Sequence, residues 1–316
     1  MVHEYAIDPT CLTNWQRLRF VADAVGVHNG RLISEYPPKT WRLNAERARN
    51  QSLPTEHTRL VEYLKKIKPC LIPSGGRAYD GQGRDWLTNA ENAHRALPFR
   101  AIVSEQNPRQ QSDVLLIDEI DATTNLWKTE HSRHVPRNAD EMAKTVSLLF
   151  QIASDIVLVD PHFAPTRRFL RPIGHLLHLC ANRRVNSSLR VRLVVQEENR
   201  SASAGDTFEQ RCRSEIAALM PANMQCEFIR IRERPAPSEK IHNRYVLTDW
   251  GGLDFGIGLD DDDDSGGESD DVHLLGKEHF DFRWRQYALM EAFDIAVPSA
   301  TIVGRKTEST GSAGSA

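Results

Sequence analysis

Apolar positions recur along this chain with two rhythms, and the change between them falls near residue 139. Over residues 12–25, Trp15, Leu18, Phe20, Val21 and Val25 fall near one face at helical spacing, with Gly26 or Gly30 as the stop. Thr13, with Gln16 three residues on, suits a capping box. A second amphipathic helix is predicted over 55–67, with Leu60, Tyr63, Leu64 and Ile67 on its apolar side and Pro69 ending it. Residues 73–85 read as a glycine-rich loop, and 99–103 and 114–118 as strands.

Beyond residue 139 helix and strand alternate. Helices are predicted over 143–153, 168–180, 207–219 and 279–293. Strands are predicted over 156–159, 189–195 and 226–231, around 245–247 and over 255–259. The run Ile156-Val157-Leu158-Val159 has the continuous apolar character of a strand covered on both faces. Such alternation predicts an α/β fold: a mixed sheet flanked by helices on both faces over 139–300, preceded by a helix-rich α/β N-terminal domain over 1–138. The acidic segment 260–271 is expected to be a mobile loop, and 301–316 a flexible tail.

Composition narrows the class without naming a function. The chain has 316 residues, 40% hydrophobic and 26% charged, as folded globular chains do. Its formal charge of −3 singles out no partner. Cys11, Cys70, Cys180, Cys212 and Cys226 never stand at C-x-x-C spacing, so buried free thiols are expected rather than disulfides or a thiolate zinc site. No apolar run reaches the ~20 residues that span a bilayer. With no secretory signal at Met1, the expectation is a soluble, cytoplasmic protein without a membrane partner.

Candidate chemistry concentrates in Lys240-Ile241-His242-Asn243-Arg244 and the residues up to Asp249. In a strand, residues two apart share a face, so His242 and Arg244 would stand side by side. An imidazole can act as nucleophile or proton carrier, and a guanidinium can grip non-bridging phosphate oxygens. Asp249 would be returned by the Gly251-Gly252 turn to orient them.

The His-x-Arg-x-x-x-x-Asp spacing resembles the His-x-Lys-x-x-x-x-Asp motif of the phospholipase D superfamily, with arginine at the lysine position. Residues 155–163, Asp155-Ile-Val-Leu-Val-Asp160-Pro-His-Phe, look like the first core strand and Asp-Pro-aromatic exit of that superfamily. Gly256 stands near where its Gly-Ser strand would begin. The resemblance covers about residues 140–295. It implies a metal-independent phosphodiesterase with a histidine nucleophile and no cofactor, at a site built from two such motifs. One motif is present here, so a homodimer pairing two copies of His242 is implied. Ile257 and Leu259 stand where the family places a serine and an asparagine.

Between Thr166 and Arg244 there are 15 basic residues against 8 acidic ones, a bias that suits a phosphate-bearing polymer. Arg167, Arg168, Arg192, Arg232 and Lys240 are the candidate phosphate contacts. The reading at this point is a nuclease cutting DNA or RNA, similar in architecture to nucleases of bacterial defence systems. The alternative is a degraded module that binds nucleic acid or a protein partner without cleavage. The N-terminal domain could serve a protein partner. Leu115-Leu-Ile-Asp118-Glu119 has the look of a nucleotide hydrolase strand, but no G-x-x-x-x-G-K-[ST] loop precedes it. His175 with His178, and His131 with His134, lack a third metal ligand at suitable spacing. The tryptophans Trp41, Trp86, Trp127, Trp250 and Trp284 are expected in cores or interfaces rather than as base-stacking platforms.

Overall fold

The computed structural model describes residues 1–48, 54–197, 202–236, 238–262 and 267–305. The chain divides into two compact units, residues 1–133 and 134–316.

The first unit is a parallel five-stranded α/β layer. Its strands are β1 (His3–Ile7), β2 (Arg31–Ser34), β3 (Leu71–Ile72), β4 (Ile102–Ser104) and β5 (Val114–Leu116), in the order β3-β2-β1-β4-β5. Successive β1 residues alternate between two cores. Tyr5 and Ile7 enter one with α1 (Trp15–Ala24), α2 (Trp41–Arg47) and α3 (Pro54–Ile67), through Leu18, Val21, Trp41, Leu64 and Ile67. Ala6 enters the other with α4 (Trp86–Ala96), through Trp86, Leu87, Ala90 and Ala93. Three of these strands differ from the helix-dominated expectation. β1 is hidden in sequence because it carries Glu4, which is buried and bound to both Nη atoms of Arg77 at 2.8 and 3.0 Å. The first helix starts later than the periodicity suggests. Asn14 caps it, accepting from Arg17 N at 2.9 Å, so the predicted Thr13 capping box is not the start. The side chain of Leu60 lies outside the described residues.

The second unit is an α/β layer around a mixed sheet. Among the described residues its strands run β13-β9-β8-β7-β10-β11-β12-β6, with β14 also paired to β9. These are β6 (Ser132–Pro136), β7 (Asp155–Val159), β8 (Arg190–Gln196), β9 (Gln225–Glu233), β10 (Tyr245–Thr248), β11 (Gly252–Phe255), β12 (Ser269–Leu274), β13 (Phe293–Ile295) and β14 (Ala300–Val303). β7, β8 and β9 are parallel, and β10 is antiparallel to β7. Helices α5 (Ala139–Ile152), α6 (Arg167–Leu179), α7 (Ala202–Leu219) and α8 (Lys277–Tyr287) cover it. The right-handed crossovers β7-α6-β8 and β8-α7-β9 proceed in one direction, which puts α6 and α7 on one face. The other face is closed by Phe280, Trp284 and Tyr287 of α8 against Val157, Val159, Val194, Tyr245 and Leu247.

Several expected boundaries move. β6 belongs to the second sheet, so that unit begins at His134 rather than Ala139. The closing helix stops at Tyr287 instead of continuing to Phe293. Met290 adopts φ 55° there, and Glu291 N donates to Arg285 O at 3.0 Å, a helix-ending turn that frees Phe293 for β13. The predicted tail begins too early, because Thr301–Val303 pair with β9; residues 306–316 lie outside the described residues. The acidic segment is not one mobile loop. Asp260 and Asp261 are buried, and Ser269, Asp270 and Asp271 are in β12; residues 263–266 lie outside the described residues. None of Cys11, Cys70, Cys180, Cys212 and Cys226 is in a disulfide. Trp41 and Trp86 are core residues whose indoles donate to Ile7 O and Tyr36 O.

Candidate active site

Parallel α/β sheets present their ligand-binding crevices outside the carboxyl ends of the strands. In the second unit residues 234–236 and 238–244 lie at that edge. They leave β9, and the next strand they form, β10, lies beyond β8 and β7 in the sheet. Their path is pinned at the end of β9, where Glu233 accepts Lys240 Nζ at 2.5 Å and Ile241 N at 3.0 Å. Lys240 Nζ and the Ile241 amide hold the Glu233 carboxyl below the usual range, with the nearby His242 adding to the effect.

His242 and Arg244 therefore lie just before β10, not within a strand as the spacing predicted. Ile241 and Tyr245 enter the α8 core, His242 is exposed and Asn243 is half-buried. Arg244 is half-buried. Its Nε is buried without a hydrogen-bond partner among the described residues. The register explains its surroundings. Tyr245 faces Val159 on β7 and Asp254 on β11, so Arg244 comes opposite Asp160 on one side and Phe255 on the other. Phe255 N donates to Arg244 O at 2.9 Å.

Asp160, which the motif spacing leaves outside the site, stands next to it. It is 1% exposed. Its Oδ1 accepts His162 N at 3.0 Å and its Oδ2 accepts Leu259 N at 2.9 Å. Burial pushes the carboxyl above the ordinary carboxylate range, against the pull of these two amides and of Arg244. One buried carboxyl thus ties the exit of β7 to the 256–260 turn, with Arg244 near enough to act on it electrostatically. The clue in sequence was an aspartate directly after four apolar strand residues, a place where an unpaired charge is costly.

The 256–260 turn replaces the predicted 255–259 strand. Ile257 N donates to Asp270 Oδ2 at 3.2 Å, and Leu259 N to Asp160, so neither amide joins a ladder. Leu259 is buried and Ile257 is 48% exposed. At Gly258 an added Cβ would stand 2.5 Å from Asp260 Oδ1, an oxygen already fixed by Arg137 Nη2 at 2.6 Å, so the turn leaves no room for a side chain.

Two proposed assignments are overturned by position. Asp249 does not fold back toward His242. It sits at the other end of β10, where its carboxyl accepts Ser154 N at 3.0 Å and its own amide donates to Asp155 O at 3.0 Å. Partial desolvation pushes that carboxyl upward. Arg192 cannot reach a phosphate, because it is 2% exposed, bound to Asp155 Oδ1 at 2.6 Å and to Ala288 O.

The remaining basic candidates divide. Arg168 is held by Asp260, which also binds Arg137, and Arg137 in turn binds Glu268. Arg171 meets Asp261 at 3.4 Å, and buried Arg230 is held between Glu197 and Glu209 at 3.2 and 2.6 Å. The acidic segment therefore neutralises arginines beside the site. Arg167 and Arg232 are exposed, and Lys240 is exposed but paired with Glu233. Among the described residues no group of three His, Cys, Asp or Glu is placed to hold a metal ion. His175 pairs with Asp140 at 3.1 Å, and His178 Nδ1 meets Gly174 O at 2.8 Å.

No known family matches this chain, and no curated protein does. Among solved structures, it is similar to TrmBL2, an archaeal chromatin protein whose structure is described as showing a novel mode of DNA binding. The identity is 10%, over 73% of this chain and 82% of that one, with a TM-score of 0.24, too low to support an argument about fold or function. Among the described residues no helix is long and apolar enough to cross a membrane.

Proposed function

We propose that the second unit is a phosphodiesterase acting on nucleic acid. His242 is the nucleophile and Arg244 is the cation that holds the phosphate. The observation that supports this reading is Arg244 itself. Its guanidinium is half-withdrawn from water at the carboxyl edge, its Nε is buried and unbonded among the described residues, and a buried carboxyl stands opposite. A desolvated cation with donors to spare stabilises a phosphorane-like transition state far better than a solvated one. His242, exposed two residues earlier, makes no hydrogen bond among the described residues, so its lone pair is open to a phosphorus atom. Asp160 positions the cation. Arg167 and Arg232 extend positive charge for flanking phosphates, whereas Lys240 is paired with Glu233.

The test is cleavage of single- and double-stranded DNA and RNA in EDTA. The wild-type chain is expected to cut, and His242→Ala to lose cutting by at least about 10³-fold. Arg244→Ala is expected to fall by about 10²–10³-fold. Arg232→Ala is expected to keep cutting, with the salt slope of binding reduced by about one. Binding without cutting by the wild-type chain would replace the enzyme with a nucleic-acid-binding module.

A further inference from the structure

A histidine nucleophile alone does not complete a phosphodiester cleavage, because the leaving oxygen of a nucleic acid departs as a high-energy alkoxide unless it is protonated. Resting on the reading above, we infer that His162 of the same chain is the general acid, so that one chain holds a complete catalytic pair.

Two adjacent strands deliver the two imidazoles to one edge. β7 and β10 are antiparallel neighbours, with Val159 facing Tyr245. His162 lies three residues beyond Val159, and His242 lies three residues before Tyr245, so both leave the sheet at the same end. His162 is held by its backbone: a turn closes from Phe163 N to Asp160 O at 3.2 Å, and Asp160 Oδ1 accepts His162 N at 3.0 Å. The carboxyl that stands opposite Arg244 is thus the one that fixes the His162 backbone. Both imidazoles are exposed, and neither makes a hydrogen bond among the described residues, so neither is committed to holding the fold.

The steps balance within one chain plus water. A ring nitrogen of His242 forms a bond to phosphorus while the bond from phosphorus to the leaving oxygen breaks, and protonated His162 gives its proton to that oxygen. Neutral His162 then takes a proton from water as the water oxygen bonds to phosphorus, which releases His242 and leaves His162 protonated again. The products are an alcohol and a phosphate monoester. The rival source of the acid is the second His242 of a homodimer, in which case His162 has no part.

The experiment compares two substrates of the full-length chain. One is an oligonucleotide, whose alkoxide leaving group needs a proton. The other is a p-nitrophenyl ester of a nucleotide, whose phenolate leaves without one. In the first turnover, before hydrolysis of the adduct calls on His162 as base, His162→Ala is expected to lose about 10²–10⁴-fold on the oligonucleotide and to release p-nitrophenolate from the diester within about threefold of the wild-type rate. His242→Ala loses both. His162→Gln, which keeps a polar side chain but cannot carry the proton, is expected to behave as His162→Ala, and the melting temperature of each variant checks its folding. Full oligonucleotide cleavage by His162→Ala, or an equal first-turnover loss on both substrates by a folded variant, overturns the assignment while leaving the phosphodiesterase reading intact. A wild-type chain inert toward both substrates overturns both.

Discussion

Replacing Asp249 by alanine separates the geometry from the motif. In the resemblance Asp249 belongs to the reacting set, whereas in the structure it anchors the join between α5 and β7. Five residues separate it from Arg244, about 16 Å at ~3.3 Å per extended residue. Its carboxyl accepts Ser154 N at 3.0 Å from one oxygen and 3.2 Å from the other, with Asp155 N farther off at 3.4 Å. A hydrogen bond to a charged group contributes about 1.5–3 kcal/mol net. Desolvation of the carboxyl offsets part of this, which is why its proton affinity is raised rather than lowered. Water can also reach the half-buried Ser154 in the variant. The expected loss is therefore at the low end, about 1–2 kcal/mol, or roughly 2–8 °C in melting temperature for a unit of this size. Thermal melting by circular dichroism reads the first quantity. Initial cleavage rates, corrected for the folded fraction, read the second and should stay within about twofold of wild type. A tenfold fall in rate per folded molecule with an unchanged melting temperature would refute the reasoning and return Asp249 to the chemistry.

The other expectations concern burial and charge. Asp160→Ala orphans the amides of Leu259 and His162 and removes the carboxyl opposite Arg244. It should cost about 1–3 kcal/mol for each group left unsatisfied, measured by urea denaturation, and lower cleavage beyond the loss of folded protein. Arg192→Met breaks a pair with Asp155 and a bond to the end of α8. About 3–5 kcal/mol is the cost of breaking a buried pair, here toward the lower end because Asp155 is half-buried, while nucleic-acid binding by the folded fraction keeps its salt slope. Burial raises the Asp254 carboxyl despite His273, Arg283 and His279 nearby. The native chain therefore holds that proton more tightly than the unfolded chain does, so the group favours folding at low pH and loses that contribution as pH rises through its native pKa. Asp254→Asn should accordingly raise the urea midpoint at pH 7, with the gain fading as pH falls through the carboxylate range; a gain that grows in acid would contradict the sign.

How much could be read in advance depended on whether a residue's partner was near in sequence. β7 declares itself, because Ile156, Val157, Leu158 and Val159 are buried and their apolar run needs no distant partner. β1 does not, since Glu4 is admitted to a strand interior only by Arg77, 73 residues away. Arg192 looked like a phosphate contact because arginine is common on nucleic-acid surfaces. Its setting in a strand with buried Val191, Leu193, Val194 and Val195 was the local sign that it points inward. That the acidic segment balances arginines was legible from charge alone, but which ones pair, Arg168 with Asp260 and Arg171 with Asp261, was not, because it depends on a turn about 90 residues downstream. The strand around 245–247 was legible from its apolar run, but His242 and Arg244 lie in the segment before it, where strand alternation does not set their directions. Asp160 was visible as a residue and invisible as a partner, since its role comes from register with β10.

The most direct measurement of the central claim is the search for a bond between His242 and phosphorus. Wild-type chain mixed with excess oligonucleotide, quenched within a turnover under alkaline denaturing conditions and mapped by peptide mass, should carry a nucleotidyl adduct on His242. The adduct should be absent in His242→Ala. Cleavage at the wild-type rate by His242→Ala, or an adduct on another residue with His242 unmodified, would contradict the account.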